Sequence, residues 1–207
     1  MKDEHQINAF IFDLGKVIVD WNPRYLLQEI APDKDRLEYL VEVVLDLEWF
    51  SKVDSGYPLS KAIEERSQIY PGYAMEMQTY VDRWPETISG LFDKTLKIVH
   101  KLHSAGFPLY VLSNWADETW ARVEGDFKFL DYFDDIIISG QVGMAKPDKA
   151  IFELARNRFG VSPDKTLFID DTPKNVEAAR AVGFQAVVFV SPDDLCRKLV
   201  ALNVFKN

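Results

Sequence analysis

The chain has 207 residues, 47% of them hydrophobic and 28% charged, with a net charge of −9. That length fits one large domain, or one domain carrying a smaller insert, and the composition buries a full core and excludes a disordered chain. The acidic surplus excludes a general nucleic-acid or anionic-membrane role, because both need a basic face.

In chain order, Asn8–Phe12 (NAFIF) is short and apolar and runs into Asp13, which predicts a buried strand. Pro108–Leu112, Asp135–Ile138, Thr166–Ile169 and Ala186–Val190 read the same way. Helices are predicted over Lys94–Ala105, stopped by Gly106, and over Trp115–Val123 and Asp148–Phe159, the latter stopped by Gly160. Two more follow, Pro173–Val182 with Thr172 as N-cap and Pro192–Leu202. Strands alternating with helices predict an α/β fold, a Rossmann-like parallel sheet sandwiched by helices.

One interval departs from that rhythm. The later strands start 20 to 31 residues apart, whereas Asn8 and Pro108 are 100 residues apart. A βαβ unit takes about 30 residues, so about 70 are left over as an insert. The stretch reads as helical: Pro23–Ile30, Asp35–Val44, Leu59–Tyr70 and Ala74–Trp84, with breaks at Ser55-Gly56 and Pro71-Gly72. Apart from the apolar Val17-Ile18-Val19 leading in, no strand of useful length is expected there. The expected division is a core of residues 1–20 and 89–207 and a small all-α, four-helix cap of residues 21–88, set over the carboxyl edge of the sheet.

Cys196 is the sole cysteine, so no internal disulfide is expected. The opening MKDEHQ leads into no signal-peptide core, and no window holds eighteen uninterrupted apolar residues. A cytoplasmic location is the expectation. The oligomeric state is left open, a monomer being compatible with the sequence.

Ligands of open α/β sheets bind outside the carboxyl ends of the strands, so the residues following each strand are the candidates. They are Asp13-Leu14-Gly15, Ser113-Asn114, Lys146-Pro147-Asp148 and Asp170-Asp171, the last followed by Thr172-Pro173-Lys174-Asn175. Adjacent carboxylates at one strand end repel each other unless a cation sits there. With Asp13 opposite, three carboxylates at one edge point to a hard-oxygen Mg²⁺ site. Lys146 and the Ser113 hydroxyl supply donors for an anion beside the metal.

Four ordered motifs carry a resemblance: FIFDLG at Phe10–Gly15, VLSN at Val111–Asn114, AKPD at Ala145–Asp148 and FIDD at Phe168–Asp171. In this respect the whole chain, insert included, resembles the haloacid dehalogenase superfamily of hydrolases. The resemblance implies a Mg²⁺-dependent phosphatase acting on a small phosphorylated metabolite. Asp13 would attack phosphorus and form an aspartyl-phosphate. Ser113 and Asn114 would hold the phosphoryl oxygens. Lys146 would pair with the nucleophile and the phosphate. Asp13, the carbonyl of Gly15 and Asp171 would bind Mg²⁺, with Asp170 binding or orienting a metal-bound water.

Gly15 departs from the pattern. Most phosphatases of the superfamily carry a second aspartate there as general acid and base, a function typically worth ~10²–10⁴ in rate. The D-L-G form is similar to that of sugar-phosphate phosphatases, including those acting on α-glucose 1-phosphate, whose anomeric leaving group needs less proton help. A glycine at positive φ would also make the loop hostile to aspartate. Asp20 is within reach in sequence but reads as a turn residue. The alternatives are a 2-haloacid dehalogenase, against which the intact Asp170-Asp171 pair and the absence of arginine between Arg36 and Arg66 count, and a non-catalytic phosphate-ester-binding regulator.

Within the insert, Trp49, Phe50 and Tyr57 cluster near the Ser55-Gly56 break and read as core before they read as a ligand platform. Trp21 and Trp115 follow the first two motifs and could wall a pocket. Asp54 reads as a solvated loop residue. His5, His100 and His103 show no metal-ligand pattern.

Overall fold

A computed structural model of the chain describes residues 6–205. His5 lies outside the described residues. The strands, in chain order, are β1 (Ala9–Phe12), β2 (Val19–Trp21), β3 (Ile88–Leu91), β4 (Leu109–Ser113), β5 (Asp135–Ile138), β6 (Thr166–Asp170) and β7 (Gln185–Val188). Five of them form one sheet in the order β5-β4-β1-β6-β7, with every pair parallel.

The helices are α1 (Arg24–Ile30), α2 (Lys34–Tyr39), α3 (Leu47–Asp54), α4 (Leu59–Ile69) and α5 (Ala74–Asp82) in the insert. After it come α6 (Asp93–Ser104), α7 (Asp117–Trp120), α8 (Ser139–Val142), α9 (Lys149–Phe159), α10 (Pro173–Ala181) and α11 (Pro192–Ala201). Both faces of the sheet are covered, which explains why β1 is apolar throughout rather than alternating. Phe10 and Phe12 pack with Val99 and Leu102 of α6 and Leu195 and Leu199 of α11. Ile11 points the other way, into a second core with Ile151 and Phe152 of α9 and Val176 of α10. No helix among the described residues is long and apolar enough to cross a membrane.

Three features of the middle of the chain depart from expectation. β2 and β3 pair antiparallel, Val19 opposite Leu91 and Trp21 opposite Ile88, and so bracket the insert. Each is too short for periodicity to reveal it, and Asp20 and Gly90 interrupt the apolar pattern. Second, five α-helices rather than four lie between the ribbon strands, the unexpected one being α3. Leu47, Phe50 and Val53 do fall at helical spacing, but over only eight residues, where an apolar run is easily taken for loop. Asp46 starts it by accepting a hydrogen bond from the Trp49 amide at 2.8 Å, and Trp49 and Val53 bury one side. Third, the helix expected over Asp35–Val44 is α-helical only to Tyr39 and continues as a π-helical turn over Leu40–Val44. The expected helix over Trp115–Val123 is likewise shorter, since Ala116 is extended and the Trp115 carbonyl accepts from the Gly140 amide at 3.0 Å instead of from a helical turn.

Candidate active site

The register of β1 decides what meets at its end. Phe12 lies level with Val111 of β4 on one side and Ile169 of β6 on the other. Asp13 therefore leaves the central strand between Ser113, at the end of β4, and Asp170, at the end of β6. Ser113 Oγ donates to Asp13 Oδ1 at 2.8 Å, and so does the Leu14 amide, at 2.8 Å. The Lys146 ammonium reaches the same oxygen at 3.0 Å. Among the described residues Oδ2 of Asp13 accepts no hydrogen bond, and the residue borders the cavity above the sheet. One carboxylate oxygen is anchored by three donors and the other is free.

Lys146 is 3% exposed, and its ammonium has three partners, two by hydrogen bond and Asp13 as an ion pair. It donates to the Leu112 carbonyl at 2.8 Å and to Asp170 Oδ2 at 2.7 Å, and pairs with Asp13 Oδ1. The two carboxylates hold its pKa above the usual lysine value in spite of burial, which works against the charge. Lys146 is thus tied into the carboxylates while it borders the cavity.

Asn114 is tied to the same lysine. Its Oδ1 accepts from the Lys146 amide at 2.8 Å and its Nδ2 donates to the Lys146 carbonyl at 2.9 Å. The side chain clamps the lysine's backbone, and the residue borders the cavity.

Asp170 is fully buried and also accepts from Thr172 N at 2.8 Å and from Asn175 Nδ2 at 3.0 and 3.1 Å. Asn175 was expected at this crevice as part of the run after the strand, but without a role. Its signal is its place in the first turn of α10, five residues past Asp170, from which it reaches back over the strand end. Thr172 occupies the N-cap position, but its hydroxyl bonds Asp171 Oδ1 at 3.2 Å and caps nothing.

Asp13, Asp170 and Asp171 each offer an oxygen within 4.8 Å of the others. Burial, then repulsion from Asp170 and Asp171, outweighs the pull of Lys146 and Ser113 and pushes Asp13 up to about 7. Burial and the neighbouring Asp170 raise Asp171 as well, against Lys16, Thr172 and Lys146. Three carboxylates face one ammonium. An oxygen-only donor set with surplus negative charge fits a hard divalent cation, so the cluster could hold a metal ion.

Gly15 lies outside the positive-φ region, and a Cβ there would meet nothing within 4 Å. The strain expected at Gly15 belongs to its neighbour Lys16, at φ 59°. No hydrogen bond to the Gly15 carbonyl is present among the described residues.

The cavity above this edge measures about 890 Å³. Trp21, Trp49, Phe50 and Trp115 line it, together with Tyr80 and Trp84, which the sequence reading passed over. Tyr57 does not line it; its hydroxyl bonds Glu65 at 2.5 Å. Asp54 is not a solvated loop residue. It is the last residue of α3, half-buried, and borders the cavity. The loop reading failed because α3 itself went unseen. Asp20 sits in β2 with Oδ1 held by the Tyr25 hydroxyl at 2.9 Å. His100 and His103 pack against Tyr132.

Comparison with known proteins places this geometry. The chain is 24% identical over 202 residues to a sesquiterpene phosphatase of Aspergillus oryzae, covering 92% of this chain and 94% of that protein. It is 25% identical over 191 residues to a D-ribitol-5-phosphate phosphatase of Bacteroides thetaiotaomicron, covering 86% and 90%. Against two other curated relatives it spans only 37% and 24% of their length. Among solved structures, a HAD family enzyme of Bacteroides thetaiotaomicron in complex with magnesium and inorganic phosphate superposes with a TM-score of 0.71 at 22% identity, over 88% of this chain and 93% of that one. The haloacid dehalogenase-like hydrolase family matches residues 7–183. A parallel sheet whose carboxyl edge gathers Asp13, Ser113, Lys146 and the Asp170-Asp171 pair is what that match covers, and the chain belongs to the haloacid dehalogenase-like hydrolases.

Proposed function

We propose that this hydrolase is a Mg²⁺-dependent phosphatase that cleaves a small phosphorylated metabolite, a sugar phosphate in the first instance, through an aspartyl-phosphate on Asp13. The observation that carries the reading is the asymmetry of the Asp13 carboxylate. Ser113, Leu14 and Lys146 hold Oδ1 and leave Oδ2 unbonded at the cavity floor. A nucleophile so fixed pays little to reach its attacking geometry. Residues 1–20 and 89–207 form the catalytic core in this reading, and residues 21–88 the cap.

A carboxylate approaching a phosphate meets repulsion of about 4 kcal/mol at ~4 Å and an effective dielectric of ~20. Lys146 offsets part of it by neutralising Asp13 from behind. Mg²⁺, held by Asp13, Asp171 and the Gly15 carbonyl with Asp170 orienting the set, would supply the remaining positive charge to the phosphoryl oxygens. Ser113 keeps Oδ1 from rotating into the attack position. The phosphatases among the relatives, and the magnesium and phosphate in the superposed enzyme, support the assignment.

Two observations bear on the alternatives. A dehalogenase needs a cationic cradle for halide. Arg24 borders the cavity, yet Glu38 holds its guanidinium at 3.0 and 2.8 Å. A non-catalytic regulator has no use for a free, aimed carboxylate oxygen.

The aromatic wall favours a second reading of the leaving group. Trp21, Trp49, Phe50, Tyr80 and Trp84 present a mainly ring surface, in which Trp21 Nε1 and the Tyr80 hydroxyl have no partner among the described residues, and such a wall suits a hydrocarbon as well as the face of a sugar ring. A panel of p-nitrophenyl phosphate, hexose 1- and 6-phosphates, an alditol phosphate and a prenyl monophosphate tests both readings, with Mg²⁺ and with EDTA. Turnover that needs Mg²⁺ is expected. Turnover of none of them, or turnover indifferent to EDTA, overturns the assignment.

A further inference from the structure

A phosphatase of this kind must protonate its leaving group, and position 15 cannot do so. The space in front of Gly15 is open, so the missing carboxyl has left a gap beside Asp13. The other carboxylates around the cavity can be taken in turn. Asp46 is spent on the Trp49 amide and on Arg66 at 2.6 Å. Glu42 lies against Arg24 at 3.4 Å. Glu48 is exposed on the first turn of α3. Asp54 alone is half-buried and, among the described residues, has neither a hydrogen bond nor an ion pair.

Asp54 is also held in place. The Ser55-Gly56 turn that follows it is seated on the core. A Cβ on Gly56 would lie 3.0 Å from the Gly140 carbonyl oxygen and 3.3 Å from Gly143 Cα, so the two backbones pack with no room between them. Gly56 takes φ +88°, a left-handed conformation that favours glycine. Three residues beyond the turn's end, the Leu59 amide donates to Glu118 Oε1 of the core at 3.0 Å. Seating this turn holds Asp54 at the cavity that Asp13 also borders, within reach of its charge.

We propose that Asp54 is the general acid and base of the reaction, delivered from the insert in place of a carboxyl at position 15. This rests on the phosphatase reading. In the first step Asp13 Oδ2 forms a bond to phosphorus, the bond from phosphorus to the leaving oxygen breaks, and that oxygen takes the Asp54 proton and departs as an alcohol. In the second step the Asp54 carboxylate takes a proton from water. The resulting hydroxide attacks phosphorus, the Asp13–phosphorus bond breaks, and inorganic phosphate leaves with Asp13 ionised and Asp54 protonated again. The environment suits both halves of the cycle. Burial lifts the Asp54 carboxyl to about 7, with Asp13 adding and Lys146 opposing, so neither protonation state is costly near neutrality.

The test is the leaving-group dependence of Asp54→Asn, which keeps the side chain's shape. On the best alkyl or sugar phosphate of the panel, kcat/KM is expected to fall ~10²–10⁴-fold, and on p-nitrophenyl phosphate, whose leaving group needs little proton help, less than about tenfold. The double variant Gly15→Asp, Asp54→Asn should recover much of the alkyl-phosphate rate, because a carboxyl at position 15 has room to take over. Equal losses on both substrates, with a matching drop in melting temperature, would make Asp54 a structural residue and overturn the proposal. No loss on either would do the same. If the wild-type protein turns over none of the panel, it is the phosphatase reading that fails, not the assignment of Asp54 within it.

Discussion

Lys146 and Asp170 form an ion pair of 2.7 Å in which neither side chain has exposed surface. With Asp13 at 3.0 Å and the Leu112 carbonyl at 2.8 Å, the ammonium sits at the joint between three strand ends. A buried pair of this kind need not add net stability, but breaking it leaves a buried charge without a partner.

Lys146→Ala is therefore expected to damage the fold as well as catalysis. Stranding the Asp170 carboxylate costs about 3–5 kcal/mol, which for a chain of this size lowers the melting temperature by roughly 2–4 °C per kcal/mol. Thermal melts of wild type and variant in EDTA check it. A variant that melts with the wild type would show that the ammonium does not compensate the carboxylates.

Asp13→Asn should abolish turnover and alter the pH dependence of stability. Without a divalent cation, the folded protein holds protons on Asp13 and Asp54 up to about pH 7 that the unfolded chain has released by about pH 4. More protons are bound folded than unfolded across that window, so stability falls as pH rises through it and levels off above. The asparagine removes the Asp13 share of that fall. In EDTA the variant should melt above the wild type at pH 7.5, and the difference should shrink towards pH 4. Melts from pH 4 to 8 decide it, and parallel curves would remove Asp13 as a source.

Asp171→Ala should cost cation affinity. Saturating Mg²⁺ at about 100 times its dissociation constant adds roughly 2.7 kcal/mol to the folded state, and losing one charged oxygen ligand should shift the titration to higher concentration. The melting temperature followed against Mg²⁺ gives the answer. An unchanged titration midpoint would take Asp171 out of the site.

Gly56→Ala should loosen the insert from the core. The new methyl would press on the Gly140 carbonyl and Gly143 Cα, both backbone, in a left-handed conformation that alanine resists. About 1–3 kcal/mol is the expected cost. Because the turn positions Asp54, kcat/KM on an alkyl phosphate should fall more than on p-nitrophenyl phosphate. A loss equal on both substrates would separate the turn from proton transfer.

The parts of the site that follow strands were legible in the sequence. A parallel sheet collects at one edge whatever comes after each strand, so Asp13, Ser113, Lys146 and Asp171 could be gathered without coordinates. The apolar runs were equally plain, because a sheet covered on both faces needs no polar alternation. Gly15 could be read as a missing carboxyl, though whether the loop could accept one could not: that depends on a φ angle and an open space which no residue name carries.

Other parts were decided only by the tertiary structure, because each depends on a partner distant in the chain. β2 and β3 are strands through their pairing with each other across 66 intervening residues, from 22 to 87, and not through any pattern of their own. Asn114 could have faced a phosphate or the Lys146 backbone, and hydrogen-bond geometry chose the backbone. Lys146 could have stood alone as a turn lysine, and the fold buries it between Asp13, Asp170 and the Leu112 carbonyl. Asp54 changes most. As one residue in a charged stretch it reads as solvated, since sequence reports only that aspartate prefers water. The contact of Gly56 with Gly140 and Gly143 carries it to the cavity beside Asp13, where burial, and not its place in the chain, sets its proton affinity.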